Sequence, residues 1–223
     1  MIIQIIMIYG MKKFFAPSYD VNKMRNEVLT NPNLLSKAFR ERIYEYYLKP
    51  ARNLPAFPQG VLCFTLIDFL AKIIITDINQ IKDYRVFFKD NFNKNSYSDP
   101  KKIYVGERIV TFLVKDIKLF NHEDGYCFYE YVRNGLIHEG RVKCGCYLDN
   151  TIEDVVQKTE GVLKFNPNIV VQELESWLKY YFQNVKKGED TYEKLRDYIK
   201  KILDEDLEAI EKRDKNDKFP CKK

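Results

Sequence analysis

The sequence predicts an all-helical protein: a helical bundle with extra helices at both ends and one short β-hairpin near residues 152–165. Three observations predict it. Apolar residues recur at three- and four-residue spacing through most of the chain. Gly and Pro number only 9 and 8 in 223 residues, too few for the many tight turns of a sandwich or barrel. Hydrophobic residues reach 45%, enough for a sizeable core.

The elements follow in order. Met1 to Tyr9 is apolar but too short to span a bilayer, and it lacks the basic start of a signal peptide. Residues 1–10 are an upstream extension, an edge strand or a packed arm, since Met11-Lys12-Lys13 looks like a start in its own right. Residues 20–49 are expected to be helical, with Asn33 as a cap within Asn31-Pro32-Asn33. Pro50, Pro55 and Pro58 make Lys49–Gly60 a loop. Val61 to about Asp77 is apolar almost all round, as suits a central bundle helix, and Asp68 and Lys72 can pair across one turn. A short aromatic helix is expected from Ile81 to Phe92, a polar loop over Asn93–Pro100 and a helix from Lys101 to about Phe120. A turn over Asn121–Gly125 leads to a helix from Tyr126 to about Glu139, which Gly140 ends. β-Branched runs over residues 152–165 favour the hairpin. Pro167 opens an amphipathic helix through Trp177 and Tyr181, and a last helix covers about Asp190 to Lys212. These elements group as an N-terminal helical extension (1–57), a core (58–185) and a C-terminal helix with its tail (186–223).

Charge and cysteine content restrict function less. The net charge of +5 is a mild basic excess, compatible with nucleic acid. The five Cys are odd in number and lack the spacing of a disulfide framework, so reduced thiols and a cytoplasmic location are expected. Cys144-Gly145-Cys146 lacks the second ligand pair of a structural zinc site, so no metal is expected. No membrane association is expected either: Asp68 and Lys72 interrupt the most apolar stretch.

One segment carries chemistry. Only two His occur in the chain. One of them, His138, closes the run Arg133-Asn134-Gly135-Leu136-Ile137-His138 at the end of a predicted helix. Asn134 and His138, four apart, share a face. Arg133 is five residues before His138, about 140° round an α-helix from it. RNA cleavage without metal needs a base for the 2′-hydroxyl, a cation for the phosphorane oxygens and an acid for the leaving 5′-oxygen. His titrates in the right range for both proton transfers. Arg offers a planar fork of donors to the developing anion. Asn134 can orient His138 or bind phosphate.

The stretch from Tyr129 to Arg141, with its R-N-x-x-x-H pattern, resembles the signature of the HEPN superfamily. So does the layout of an apolar first core helix, a partner helix and a motif helix across residues 58–185. The resemblance implies a HEPN-like up-down bundle, Arg133, Asn134 and His138 as catalytic residues, and 2′,3′-cyclic phosphate ends formed without a cofactor. It further implies an active site completed by a second copy of the chain. Glu139, Arg141 and Lys143 adjoin the motif and are the expected RNA contacts. The expected partners are RNA, a homodimer mate and an antitoxin or regulatory protein, in toxin–antitoxin or antiviral defence.

The alternatives are a non-catalytic HEPN module that binds RNA, a nucleotide or a protein, and an unrelated helical interaction protein. Plainer roles exist for the same residues. Arg133 can pair with Glu130 or Asp124, and His138 can be an ordinary helix-end residue. Asp68 can support the site or, as the plainer role, be a structural partner of Lys72. His122 reads as a helix-entry residue. Tyr44, Tyr46 and Tyr47 suit a packed stripe better than a base-stacking platform.

Overall fold

Residues 14–81, 104–188 and 190–216 are described by the computed structural model. The N-terminal ten residues, the aromatic helix expected beyond Ile81, the loop Asn93–Pro100 and Cys221 lie outside the described residues.

The chain is mostly helical, with two small sheets in place of the single expected hairpin. Strands β1 (Phe14–Ala16) and β2 (Tyr19–Asp20) pair antiparallel. Helix α1 covers residues 21–28 and α2 residues 32–51, so the expected single helix over 20–49 is broken at residues 29–31. Asn31, not Asn33, caps α2: its Oδ1 accepts from the backbone N–H of Asn33 (3.0 Å) and Leu34 (3.2 Å). Pro32 then takes the first helical position, where a missing N–H costs nothing.

The prolines after it do less than expected. Pro50 lies within α2, and Pro58 lies in the first turn of α3 (Ala56–Ile74), which proline tolerates. The loop therefore shrinks to residues 52–55. Among the described residues α3 alone is long and apolar enough to cross a membrane, and 50% of that stretch is buried within the fold. Phe64, Leu66, Ile67, Leu70 and Ile73 are the buried side chains that account for its composition.

Helix α4 spans residues 105–116 and α5 residues 122–139. The latter begins at His122 rather than Tyr126, because Asn121 caps it by accepting from Asp124 N–H at 2.9 Å. Strands β3 (Cys146–Leu148), β4 (Val156–Thr159) and β5 (Val162–Phe165) form a sheet of order β3-β5-β4. β4 and β5 are the expected hairpin. Its two-residue turn, Glu160-Gly161, has positive φ at both positions (43° and 79°), the geometry that matches strand twist. β3 joins β5 in parallel and went unseen, since three residues cannot display a period of two. Helices α6 (Pro167–Lys186) and α7 (Asp190–Asn216) complete the chain.

Two compact units result. The first covers residues 43–179. Its core is aromatic: Phe128 sits 4.6 Å from Phe64, 4.8 Å from Phe120 and 5.2 Å from Phe165, centroid to centroid. Beside it lies an amide network. Fully buried Gln59 donates to Ala51 O (3.0 Å) and Asn168 Oδ1 (2.5 Å), and accepts from Asn150 Nδ2 (3.0 Å). The second unit joins residues 14–42 to the described residues from 180 to 216. There Phe39 packs on Tyr181 and Phe182, Tyr192 donates to Leu29 O at 2.7 Å, and Arg25 pairs with Asp204 at 2.8 Å.

Asn166 ties the sheet to α6. Its Oδ1 caps the helix by accepting from Asn168 N–H (2.9 Å) and Ile169 N–H (3.4 Å), while Nδ2 donates to Ile152 O (2.6 Å). Truncating it removes a cap and orphans a buried carbonyl. The Asn166→Ala protein is expected to lose about 2 kcal/mol of stability in urea titration. An unchanged midpoint with an unchanged slope would contradict this role.

Candidate functional site

The motif helix α5 is held by a buried stripe, Phe128, Val132 and Leu136, at four-residue spacing. Its N-terminal end is pinned through Asp124, which accepts from Asn121 Nδ2 (2.7 Å) and pairs with Lys158 of β4 (2.8 Å). The expected pairing of Asp124 with Arg133 is therefore not the one that forms.

The second half of α5 is π-wound. Asn134 N–H donates to Tyr129 O and Gly140 N–H to Gly135 O, each five residues back. Such winding advances fewer degrees per residue than an α-helix, so two residues five apart come nearer to one face than the about 140° of α-helical geometry. The angular gap between Arg133 and His138 narrows accordingly. Gly140 ends the helix with φ 66°, as expected of it.

The chain then folds back on the helix. Arg141 N–H donates to Gly135 O at 3.3 Å, and Lys143 N–H to Tyr131 O at 2.9 Å. The second bond satisfies a carbonyl in the widened turn. This return needs a glycine at 135, where a Cβ would stand 2.3 Å from the Arg141 carbonyl oxygen.

Arg133 and Asn134 are brought together. The Arg133 side chain is only 12% exposed. Its Nη1 donates to Asn134 Oδ1 (2.9 Å) and its Nη2 to Asp68 Oδ2 on α3 (3.1 Å). Asn134 Nδ2 donates onward to Glu130 Oε2 (3.3 Å). The guanidinium lies 5.8 Å from the Tyr129 ring centroid. Burial pushes the Tyr129 phenol up, opposed by its hydrogen bond with Asn134 and by the Arg133 charge. Lys72 approaches the same Asp68 oxygen at 3.6 Å. Thus Asp68 serves both Lys72 and Arg133, and Asn134 bridges Arg133 to Glu130.

His138 is exposed and is the penultimate residue of the helix. Glu139, Arg141 and Lys143 form a cluster of their own. Glu139 pairs with Lys143 at 2.5 Å and with Arg141 at 2.9 Å, and these partners hold its carboxyl below the usual range. Arg141 is 67% exposed, so the cluster is a solvated rim. His122 opens α5 as expected. Tyr47 stacks on Phe69 at 6.4 Å, and Tyr44 lies against Arg52, which donates to its hydroxyl at 3.4 Å. These tyrosines pack rather than present open faces.

Sequence reasoning placed Asp68 with Lys72 but did not connect it to Arg133. The only available signal was a lone acid in an otherwise apolar helix, which asks for a partner without naming it. Glu130 was weighed as a direct partner of Arg133, whereas Tyr129, inside the motif stretch, was not assigned to the arginine's surroundings. No three His, Cys, Asp or Glu are grouped to hold a metal among the described residues. The described cysteines, Cys63, Cys127, Cys144 and Cys146, are all free thiols. Cys144 is exposed, whereas burial pushes the Cys146 thiol up to about 11 and that of Cys63 up to about 12.

No family model, curated protein or solved structure matches this chain.

Two outcomes follow from this geometry. Gly135→Ala forces backbone against backbone and is expected to cost about 1–3 kcal/mol, read from chemical denaturation. A Gly135→Ala protein as stable as the parent would show that the fold-back is absent in solution. In native protein at neutral pH, iodoacetamide is expected to label Cys144 well before Cys63 or Cys146, because only a thiolate attacks. Peptide mass mapping over time gives the order, and early labelling of Cys63 would refute it.

Proposed function

We propose that this protein is a metal-independent endoribonuclease of HEPN type, with a composite active site at a homodimer interface, acting in toxin–antitoxin or antiviral defence. One observation carries the proposal. Arg133 is fixed by Asp68 and Asn134 on the same widened helix that ends in an exposed His138. A charge-stabilising group with a defined direction and a proton-transfer group open to solvent are the two kinds of group the reaction requires.

The mechanism assigns each group a task. His138 removes the 2′-hydroxyl proton, and the 2′-oxygen attacks the adjacent phosphorus. The Arg133 guanidinium stabilises the phosphorane oxygens through its N–H donors. The His138 of the second copy protonates the 5′-oxygen as the P–O5′ bond breaks. The products are a 2′,3′-cyclic phosphate and a 5′-hydroxyl end. Two copies supply the two His138 side chains that act as base and acid. A two-fold axis brings two such helix ends together. In this reading Arg141 and Lys143, tempered by Glu139, meet the RNA backbone beside the site.

The second reading is a non-catalytic HEPN module for RNA, a nucleotide or a partner protein. It is favoured by the Asp68–Arg133 pair, which already supplies the guanidinium with a counter-charge.

Cleavage assays separate the two. Wild-type protein is expected to cut RNA in the presence of EDTA and to leave 2′,3′-cyclic phosphate ends. Arg133→Ala and His138→Ala are each expected to lose at least about a hundredfold in rate while keeping the parent circular dichroism spectrum. If either variant cuts at the parent rate, or if chelation abolishes cleavage, this mechanism is wrong.

A further inference from the structure

We propose that Asp68 is the positioning residue for Arg133, so that the first core helix contributes to the cleavage site. This rests on the ribonuclease reading. Arginine ordinarily loses considerable rotamer freedom when it is fixed. Here Asp68 removes that freedom in advance. Its carboxylate takes Nη2 at 3.1 Å while Asn134 takes Nη1 at 2.9 Å, so two anchors on different helices set the plane of the guanidinium. The Tyr129 ring lies 5.8 Å away as a third constraint.

The anchor itself is rigid. Asp68 directly follows Leu66 and Ile67, both buried, and α3 buries Leu70 and Ala71 beyond it. A carboxylate on a core helix holds its position better than one on a loop. Its own side chain is 16% exposed, dry enough for a directional charge-assisted bond.

The donors left over point to a ligand. Neither anchor engages Arg133 Nε–H, which is buried and meets no acceptor among the described residues. A buried donor without an acceptor is costly, and a phosphoryl oxygen arriving beside the guanidinium would satisfy it. Lys72, 3.6 Å from the same carboxylate, adds a cation on that side. Asp68 and Glu130 balance Lys72 and Arg133 in charge. The cluster therefore offers oriented donors rather than a net positive field.

This arrangement gives Asp68 a signature that a merely structural residue lacks. Removing its charge leaves Arg133 and Lys72 less neutralised, so ground-state RNA binding holds or tightens. The guanidinium loses its direction, so the chemical step slows. The experiment compares full-length wild type with Asp68→Ala and the isosteric Asp68→Asn, which guards against misfolding of the first. The kcat for RNA cleavage is measured beside the Kd for a non-cleavable 2′-O-methyl RNA. The expected result is a kcat lower by about tenfold to a hundredfold, the cost of a misplaced reacting group, with Kd unchanged or lower. The inference is overturned if kcat is unaffected, or if kcat and affinity decline together in both variants. Wild-type protein that cuts no RNA would overturn the ribonuclease reading itself, and this inference with it.

Discussion

Everything at the candidate site depends on where Phe128 is buried. Its ring meets Phe64 of α3, Phe165 of β5 and Phe120 in the chain just before α5. Each such aromatic contact contributes about 0.5–1.5 kcal/mol beyond its buried area. Together they fix which face of α5 points inward. Val132 and Leu136 extend that face at strict four-residue spacing. On an α-helix this spacing drifts steadily round the axis, since a turn takes about 3.6 residues. The slower π winding of residues 128–139 counters the drift and keeps the stripe against one wall of the core. The narrowed gap between Arg133 and His138 is a by-product of that packing requirement.

The charged groups near α5 fall into two physical classes. Glu139, Arg141 and Lys143 lie at the solvated rim, where ion pairs contribute little and salt screens them. The pair between Arg133 and Asp68 is largely out of water. There the cost of desolvation is high, and the pair persists only because each partner has good geometry and further bonds. A buried, fixed guanidinium and a more exposed charged rim do different work for an anionic polymer. The rim can follow any phosphate backbone, whereas the fixed cation accepts one orientation.

Local periodicity made much of the fold readable. The apolar run of α3, the amphipathic α6 and α7, the end of α5 at Gly140 and the β4–β5 hairpin all show their period within a dozen or so residues. Features that depend on distant partners were not readable. The three residues of β3 gain their identity only by pairing with β5. Asp68 and Arg133 are 65 positions apart, and neither residue names the other. The π turns of α5 follow from packing, not from propensity. Capping was misread by two residues, because Asn31 and Asn33 both suit the role and only the position of Pro32 decides between them. Nor does any local pattern reveal that residues near the two ends form one compact unit. Tyr192 reaches a carbonyl 163 positions earlier and Arg25 an acid 179 positions later. Closing loops of that length delays folding.

The backbone bond from Lys143 to Tyr131, with that from Arg141 to Gly135, ties the returning segment to α5. An amide proton held in this way exchanges with solvent only when the returning segment lifts from the helix. That opening unseals the widened turns behind Arg133 without unfolding the aromatic core. One amide, read by hydrogen exchange, thus reports on the cohesion of the whole motif segment.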